Sequence, residues 1–135
     1  MKNKITHREF NEIKRRLESV SHTWSDLWLF LSLTDIKISE AIELKQTDIE
    51  GNTLYFTQKK STERITLNIS PDALEIIKNR KKLNPNDKYV FQSHSNRVKY
   101  KERPVTVIAF NTALRSIGKS IGLHKISSKH AKYKA

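Results

Sequence analysis

The chain has 135 residues, of which 36% are hydrophobic and 30% charged, with no cysteine and a net charge of +12. This length suits one domain with a modest core, and the lack of cysteine excludes disulfides, thiolate chemistry and cysteine-ligated zinc. The longest uncharged apolar run, 27–34, is too short to span a bilayer, and the polar first residues show no secretory pattern. We therefore expect a soluble, cytoplasmic protein.

The positive charge is unevenly distributed along the chain. Residues 1–87 carry 15 basic and 13 acidic side chains, whereas residues 88–135 carry 11 basic and one acidic, Glu102. A balanced segment is typical of an ordinary folded surface, but a segment of one sign attracts a polyanion. The charge alone favours nucleic acid as the partner, with a membrane surface or an acidic protein as the alternatives.

Three helices are predicted in the first part of the chain. The first follows Thr6 and Glu9, which together form the signature of a capping box. Its inward face is the set of apolar residues that recur at helical spacing: Phe10, Ile13, Leu17 and Val20. A second, largely buried helix is expected to start near Ser25, and a third to cover about 39–45.

The hydrophobic period then changes from that of a helix to that of a strand. Residues 52–58 are rich in Thr, Tyr, Phe and Leu, and 63–69 alternate between apolar and polar side chains. The polar turn 59–62 joins them, which predicts an antiparallel pair. Ser70 and Pro71 then mark the start of another helix, with proline at its first position.

The last third contains one clear helix between polar segments. Tyr89–Phe91 is predicted to be a short buried segment, and 92–104 a polar, basic loop. Residues 105–120 have the spacing of an amphipathic helix, which Gly122 ends as the C′ residue. Residues 124–135 form a basic tail with no structure assigned. The whole order predicts a mainly helical α+β domain with a small antiparallel sheet of two to three strands.

Segment 31–49 resembles the first signature of the tyrosine recombinase (phage integrase) catalytic domain, of the lambda-integrase type. That signature reads roughly as apolar-T-G-[LMC]-R-[IV]-S-E-[AL]-x-x-L-x-[WR]-x-D-[IV]. The positions that match without a gap are Thr34, Ile38, Ser39, Glu40, Ala41, Leu44, Asp48 and Ile49. Three further family segments follow in order: Tyr89-Val90-Phe91-Gln92-Ser93, Ile121-Gly122-Leu123 and Ile126-Ser127-Ser128. The resemblance covers the chain from about residue 6 to its C-terminus.

The resemblance implies a particular chemistry on DNA. Members of this family cleave DNA with a tyrosine that attacks a phosphate, and they use neither a metal nor a cofactor. Two arginines clamp the phosphate oxygens, a lysine on the sheet turn protonates the leaving oxygen, and histidines assist. Planar guanidinium groups suit this task because each can donate two hydrogen bonds to a phosphorane that carries charge on its oxygens.

Most residues at the family's catalytic positions differ in this chain. The position of the first arginine is Lys37, and the glycine two residues before it is Asp35. Without the resemblance, Lys37 would be interpreted as a solvated lysine at a helix start. The lysine of the sheet turn falls on Lys59, with Lys60 as the alternative. The chain ends before the family's position for the nucleophilic tyrosine.

The family's H-x-x-R box is also altered. Read without a gap, its histidine and arginine positions are Lys129 and Lys132. A shift of one residue places His130 on the histidine but Tyr133 on the arginine. Lysine keeps the positive charge but lacks the planar fork that holds two phosphate oxygens, so the substitutions favour binding over catalysis.

We therefore expect residues 1–135 to form one catalytic-domain core that lacks both the core-binding domain and the nucleophile segment. It would bind double-stranded DNA without cleaving it, beside a recombinase or another mobile-element protein in a bacterial, phage or plasmid setting. The alternatives are an active or split integrase whose tyrosine comes from elsewhere, and a module for an acidic protein. The expected DNA-binding residues are Lys37, Lys59, Lys60, Arg97, Lys99, Lys101, Arg103, Lys125, Lys129, His130, Lys132 and Lys134.

Several other residues have structural interpretations. Trp24 and Trp28 flank a helix start, where core packing is expected rather than base stacking. Tyr133 is interpreted as a surface tyrosine, because it lies too early for the family's nucleophile. The five histidines lack metal-ligand spacing, so no metal site is predicted. A solvated helix end that offsets the helix dipole is expected for Lys78, Arg80, Lys81 and Lys82.

Overall fold

The computed structural model describes residues 4–57, 63–94 and 102–133. Its α-helices are α1 (His7–Val20), α2 (His22–Leu33), α3 (Ile38–Ala41), α4 (Pro71–Leu83) and α5 (Val107–Ser120). Its strands are β1 (Ile49–Glu50), β2 (Thr53–Thr57) and β3 (Arg64–Asn68), which form one antiparallel sheet in that order. Two 3-10 helices cover Gln46–Asp48 and Ser128–Lys132, and the second is called the tail helix below. The predicted fold class is confirmed.

The chain divides into two compact units. Unit 1 consists of Met1–Ile38 and Thr106–Ala135, and unit 2 consists of Ser39–Val105. Unit 1 thus combines the two ends of the sequence, whereas unit 2 is continuous. Within the described ranges, no helix is long and apolar enough to cross a membrane.

The start of α1 in unit 1 agrees with its local signature. The Thr6 hydroxyl accepts a hydrogen bond from the Glu9 N–H at 3.1 Å, and the Glu9 carboxylate accepts one from the Thr6 N–H at 2.8 Å. Phe10, Ile13 and Leu17 are buried, as predicted, but Val20 is 65% exposed. The prediction for Val20 is wrong because α1 ends at that residue.

Helix α2 begins earlier than its sequence suggests. Ser21 is extended and its hydroxyl accepts from the Thr23 N–H at 3.2 Å, so Ser21 is the N-cap rather than Ser25. Ser25 is only 3% exposed, and its hydroxyl donates to the His22 carbonyl. Ser21 and Ser25 therefore cannot be told apart as caps from their residue type alone, because a serine in the first turn of the helix can bond to a carbonyl instead.

The two tryptophans belong to the core of unit 1, as predicted. Trp28 is completely buried, stacks on Phe10 and donates its indole N–H to the Phe10 carbonyl at 3.1 Å. Trp24 lies against Phe110 of α5, with 5.4 Å between the ring centroids. These contacts join α1, α2 and α5 around one set of aromatic side chains.

The end of α5 is fixed by two glycines. Gly122 has a φ of +82°, the left-handed conformation expected of a C′ residue, and the Leu123 N–H donates to the Gly118 carbonyl at 2.8 Å. Gly118 provides a close approach, since a Cβ there would lie 2.7 Å from Cγ1 of the buried Ile126. The chain after α5 is thereby held against the helix.

Unit 2 departs from the sequence predictions at two helices. Helix α3 is shorter than the predicted 39–45, because the N–H groups of Glu43 and Leu44 bond to carbonyls three residues back and the Leu44 carbonyl accepts from the Val90 N–H. Helix α4 begins at the predicted Ser70 cap. Arg80, expected to be solvated, is only 3% exposed and donates Nε to the Val90 carbonyl at 2.5 Å. Lys78, Lys81 and Lys82 are exposed, as expected.

Candidate nucleic-acid interface

The tail helix carries three of the predicted DNA-binding residues, Lys129, His130 and Lys132, on an ordered backbone. The Ser127 N–H donates to Nδ1 of His130 at 3.1 Å, and the Ser128 N–H donates to the Asn111 side chain of α5 at 2.9 Å. Ala131 is completely buried. The segment to which the sequence analysis assigned no structure is therefore anchored on unit 1.

Lys132 points inward to the end of α2. Its ammonium donates to the carbonyls of Leu31 and Thr34, both at 2.7 Å. Carbonyls in the last turn of a helix have no partner within the helix, and a cation is favourable at that end. Lys132 thus serves the function of a C-cap for α2, supplied by a side chain about 100 residues later in the sequence.

Lys37 lies just beyond the same end of α2. It is exposed, as is Asp35, while Ile36 between them is buried at 1% exposure. The buried isoleucine turns both charged side chains outward. The carbonyl of Thr34, which Lys132 binds, is only three residues from Lys37, so unit 1 brings the two lysines at the family's arginine positions to one end of α2.

The other cations in the C-terminal part of unit 1 are exposed. Residues 106–133 contain five basic side chains and no acidic one. Arg115, Lys119, Lys125 and Lys129 are exposed, and Lys132 is half-buried. Arg115 and Lys119 were not among the predicted DNA-binding residues, although the absence of any acid after Glu102 is a signal that covers them as well.

Tyr133, interpreted from the sequence as a surface tyrosine, is half-buried and packs on α1. Its ring is stacked on Phe10, with 4.7 Å between the centroids, and its oxygen lies 2.5 Å from Nδ1 of His7. Nε2 of His7 is 3.0 Å from the side-chain nitrogen of Asn11. If that amide donates to Nε2, the His7 proton is on Nδ1 and is donated to the tyrosine oxygen.

Two of the arginines of α1 share one carboxylate within the helix. Arg15 and Arg16 both donate to the Glu12 carboxylate, at 2.6 Å and 3.0 Å. These hydrogen bonds lower the pKa of Glu12 below its ordinary value, and the bond to Glu12 raises the pKa of Arg15. Paired arginines of this kind attract an external anion less than an unpaired cation does.

In unit 2, Arg103 is the only predicted DNA-binding residue within the described ranges. It is exposed, and its carbonyl accepts from the Ser93 N–H at 2.8 Å. Beside it, Asp87 binds Nε2 of His94 at 2.8 Å and the side-chain amide of Gln92 at 3.2 Å. The other predicted DNA-binding residues lie outside the described ranges: Lys59, Lys60, Arg97, Lys99, Lys101 and Lys134.

Unit 2 also contains an open cleft of about 500 Å³. Asp48 lies in it and accepts from Arg64 at 3.0 Å and from the Lys45 N–H at 2.9 Å, which gives this residue of the family signature a structural role. Glu40 and Glu43 also line the cleft, so its charge is mixed and does not suit a phosphate. In the described part of the chain, no group of three or more His, Asp or Glu could hold a metal ion.

Comparison with known proteins identifies the family. The sequence model described as "Phage integrase family" matches residues 3–132. The chain belongs to the phage integrase family. The match confirms the resemblance on which the sequence analysis relied. A search of curated protein sequences finds no match.

Solved structures of integrases and recombinases share the fold of this integrase-family chain. The lambda integrase catalytic core aligns with a TM-score of 0.71 and 20% identity, over 90% of this chain and 71% of that one. A lambda integrase dimer bound to a COC' core site aligns with a TM-score of 0.74 and 18% identity, over 96% of this chain and 38% of that one. XerA recombinase aligns with a TM-score of 0.73 and 15% identity, over 99% of this chain and 49% of that one. The chain thus spans half or less of the last two.

Proposed function

We propose that this phage integrase family chain binds the phosphate backbone of duplex DNA and does not itself cleave it. The observation that carries the proposal is the described C-terminal part of unit 1, which has five basic and no acidic side chains, four of them exposed. A surface of one sign attracts a polyanion and releases its counterions. Lambda integrase and XerH recombinase have both been solved bound to DNA, which supports DNA as the polyanion.

Lysines at the family's two arginine positions, 37 and 132, disfavour cleavage. Lysine at 37 and 132 provides a point charge but cannot hold two phosphate oxygens in one plane. The ammonium of Lys132 already donates to two carbonyls at 2.7 Å. Loss of one oriented donor in a transition state commonly costs about 3 kcal/mol, or about a hundredfold in rate. Two such losses would cripple cleavage, whereas the exposed lysines of this surface, such as Lys129, can still bind a phosphate in the ground state.

Catalysis by Tyr133 has little support from its surroundings. A nucleophile must approach the phosphate in line, whereas this tyrosine is stacked on Phe10 and bonded to His7. We propose that the chain acts in DNA recombination or in the processing of a mobile element, where it accompanies, competes with or regulates an active recombinase.

A second candidate is an active or split integrase whose nucleophilic tyrosine is supplied from outside residues 1–135. It is favoured by the family match over nearly the whole chain, 3–132. On this hypothesis the loss of both arginines would have to be compensated by other cations. A protein module for an acidic partner is the third possibility, favoured only by the charge.

The experiment is a titration of a fluorescein-labelled duplex, a matched single strand and a polyglutamate peptide, followed by anisotropy between 50 and 300 mM salt. We expect the duplex to bind with a log–log salt slope of about −3 to −5, since each phosphate contact contributes about −0.9. Lys129→Gln should reduce the magnitude of that slope by about 0.9, the contribution of one phosphate contact. Tight binding of polyglutamate with no binding of duplex would contradict the proposal.

Covalent trapping on a nicked suicide substrate tests the second candidate. We expect no protein–DNA adduct with the chain alone. An adduct that disappears when one tyrosine is changed to phenylalanine would show that the chain cleaves DNA. Lys37→Arg should leave the result unchanged, because Lys132 at the second arginine position still lacks the planar fork.

A further inference from the structure

Lys125 has an unusual backbone for a lysine. Its φ is +59°, and among the described residues it is the one non-glycine residue with a positive φ. The left-handed region is disfavoured for a residue with a Cβ, and glycine or asparagine normally occupies it. The chain follows this preference elsewhere, with Gly51 at +62° and Gly122 at +82°. Lys125 is therefore the one described left-handed residue that is not a glycine, and its conformation needs a physical reason.

The left-handed turn is imposed by its neighbours on both sides. Before it, the Leu123 N–H donates to the Gly118 carbonyl at 2.8 Å. After it, Ile126 is 4% exposed and lies against Gly118, while the Ser128 N–H donates to Asn111 at 2.9 Å. The chain must turn sharply between two points fixed on α5. This backbone would be less strained with glycine at the turn.

The side chain of Lys125 gives no compensating contact within the fold. It is exposed, and it makes no hydrogen bond or ion pair with any side chain in the described ranges. Its own segment offers no acidic partner either, because residues 103–135 contain no Asp or Glu. The lysine thus costs stability through its backbone and returns none through its side chain, so its benefit must come from something that the chain binds.

We propose that Lys125 is a phosphate ligand for DNA, presented by the strained turn between α5 and the tail helix. The proposal rests on the proposed function and names the residue by which unit 1 contacts the backbone. An ammonium group with three donors and no internal partner suits a single phosphate oxygen, and the fixed turn presents it at the surface. Strain that persists at a binding position is a known pattern in proteins.

Three substitutions at this one position separate charge from strain. Lys125→Gly removes both, Lys125→Asn removes the charge and tolerates the turn, and Lys125→Arg keeps both. Lys82→Gln, on the exposed end of α4 in unit 2, is the control for a loss of one charge elsewhere. The measurements are thermal unfolding and duplex binding by anisotropy at several salt concentrations.

We expect Lys125→Gly to raise the Tm by about 2–4 °C, because relief of the left-handed strain exceeds the added freedom of glycine in the unfolded chain. The same variant should bind duplex about fivefold more weakly at 0.1 M salt, with a salt slope reduced by about 0.9. Lys125→Asn should bind as weakly, while Lys125→Arg should match the wild type in both measurements. Lys82→Gln should leave the slope unchanged.

The outcomes separate this inference from the proposed function. If the wild type does not bind duplex, both fail. If the wild type binds and Lys125→Gly binds with the same affinity and slope, the proposed function stands and the role of Lys125 is refuted. If Lys125→Gly weakens binding but also lowers the Tm, the turn is not strained at this residue and the argument from strain is wrong.

Discussion

Replacement of Lys132 by methionine tests whether this lysine supports the fold. Methionine keeps most of the length of the side chain but removes the ammonium, so the carbonyls of Leu31 and Thr34 each lose a donor at 2.7 Å. A hydrogen bond that involves a charged group contributes about 1.5–3 kcal/mol. Lys132 is half-buried, and water can replace part of the loss, so we expect a destabilisation of about 2–3 kcal/mol.

The matched control lies on the same 3-10 helix. Lys129 is exposed, and its replacement by methionine should change the free energy of unfolding by less than about 0.5 kcal/mol. The assay is urea unfolding of both variants, with the m-value checked for equality. For a domain of this size, the loss at Lys132 corresponds to a fall in Tm of about 7–10 °C.

The effects of the two substitutions on DNA binding should have the opposite order to their effects on stability. Lys129→Met should reduce the salt slope of duplex binding by about 0.9, whereas Lys132→Met should reduce it by less than half of that at a temperature where both are folded. Equal stabilities of the two variants would refute the reasoning, because the carbonyl contacts of Lys132 would then contribute nothing. An equal loss of slope would assign Lys132 to the phosphate as well.

Three further predictions concern packing and charge. Gly118→Ala should destabilise the protein by about 1–3 kcal/mol in thermal unfolding, because the new Cβ would lie 2.7 Å from Ile126, and Ile126→Ala should reduce that effect. Arg80→Met should cost about 2–3 kcal/mol in urea unfolding by leaving a buried carbonyl unpaired, against less than about 0.5 kcal/mol for the exposed Lys81→Met; similar losses would contradict the buried hydrogen bond. Glu12 has a pKa lowered below 4.5 by its two arginine partners, so its stabilising contribution is present above that value and is lost as the pH falls through the lowered pKa. Glu12→Gln should therefore reduce the fall in Tm between pH 5 and pH 3. An unchanged fall in Tm would show that the hydrogen bonds of Glu12 do not contribute to stability.

The fold was predictable where the signal was local. Thr6, Ser70 and Gly122 lie at the helix ends that their residue types predict, since capping depends on neighbours within a few residues. Spacing predicted neither the exposure of Val20 nor the burial of Arg80. It does not show that α1 ends at Val20, nor that Arg80 bonds to the Val90 carbonyl beyond the end of α4. The two-residue strand β1 is too short for any periodicity to indicate it.

The candidate site was predictable as a region and not as a set of contacts. The absence of acids after Glu102 identified the cationic end of the chain. It could not distinguish Lys132, which binds carbonyls of α2, from Lys129, which is exposed. Nor could it show that Tyr133 is packed on Phe10, since that stacking joins residues at opposite ends of the sequence.

Unit 1 is built from the first and last segments of the chain, and this affects the order of folding. Its contacts between Lys132 and α2 join residues 98 and 101 apart in sequence, and the contact between His7 and Tyr133 joins residues 126 apart. Closing loops of this length carries a large entropic cost before any contact forms. During synthesis, 39–105 can complete its own contacts while α1 and α2 still lack α5 and the tail helix. The faces of α1 and α2 that later pack against α5 and the tail helix are therefore the surface that a nascent chain must protect longest from aggregation.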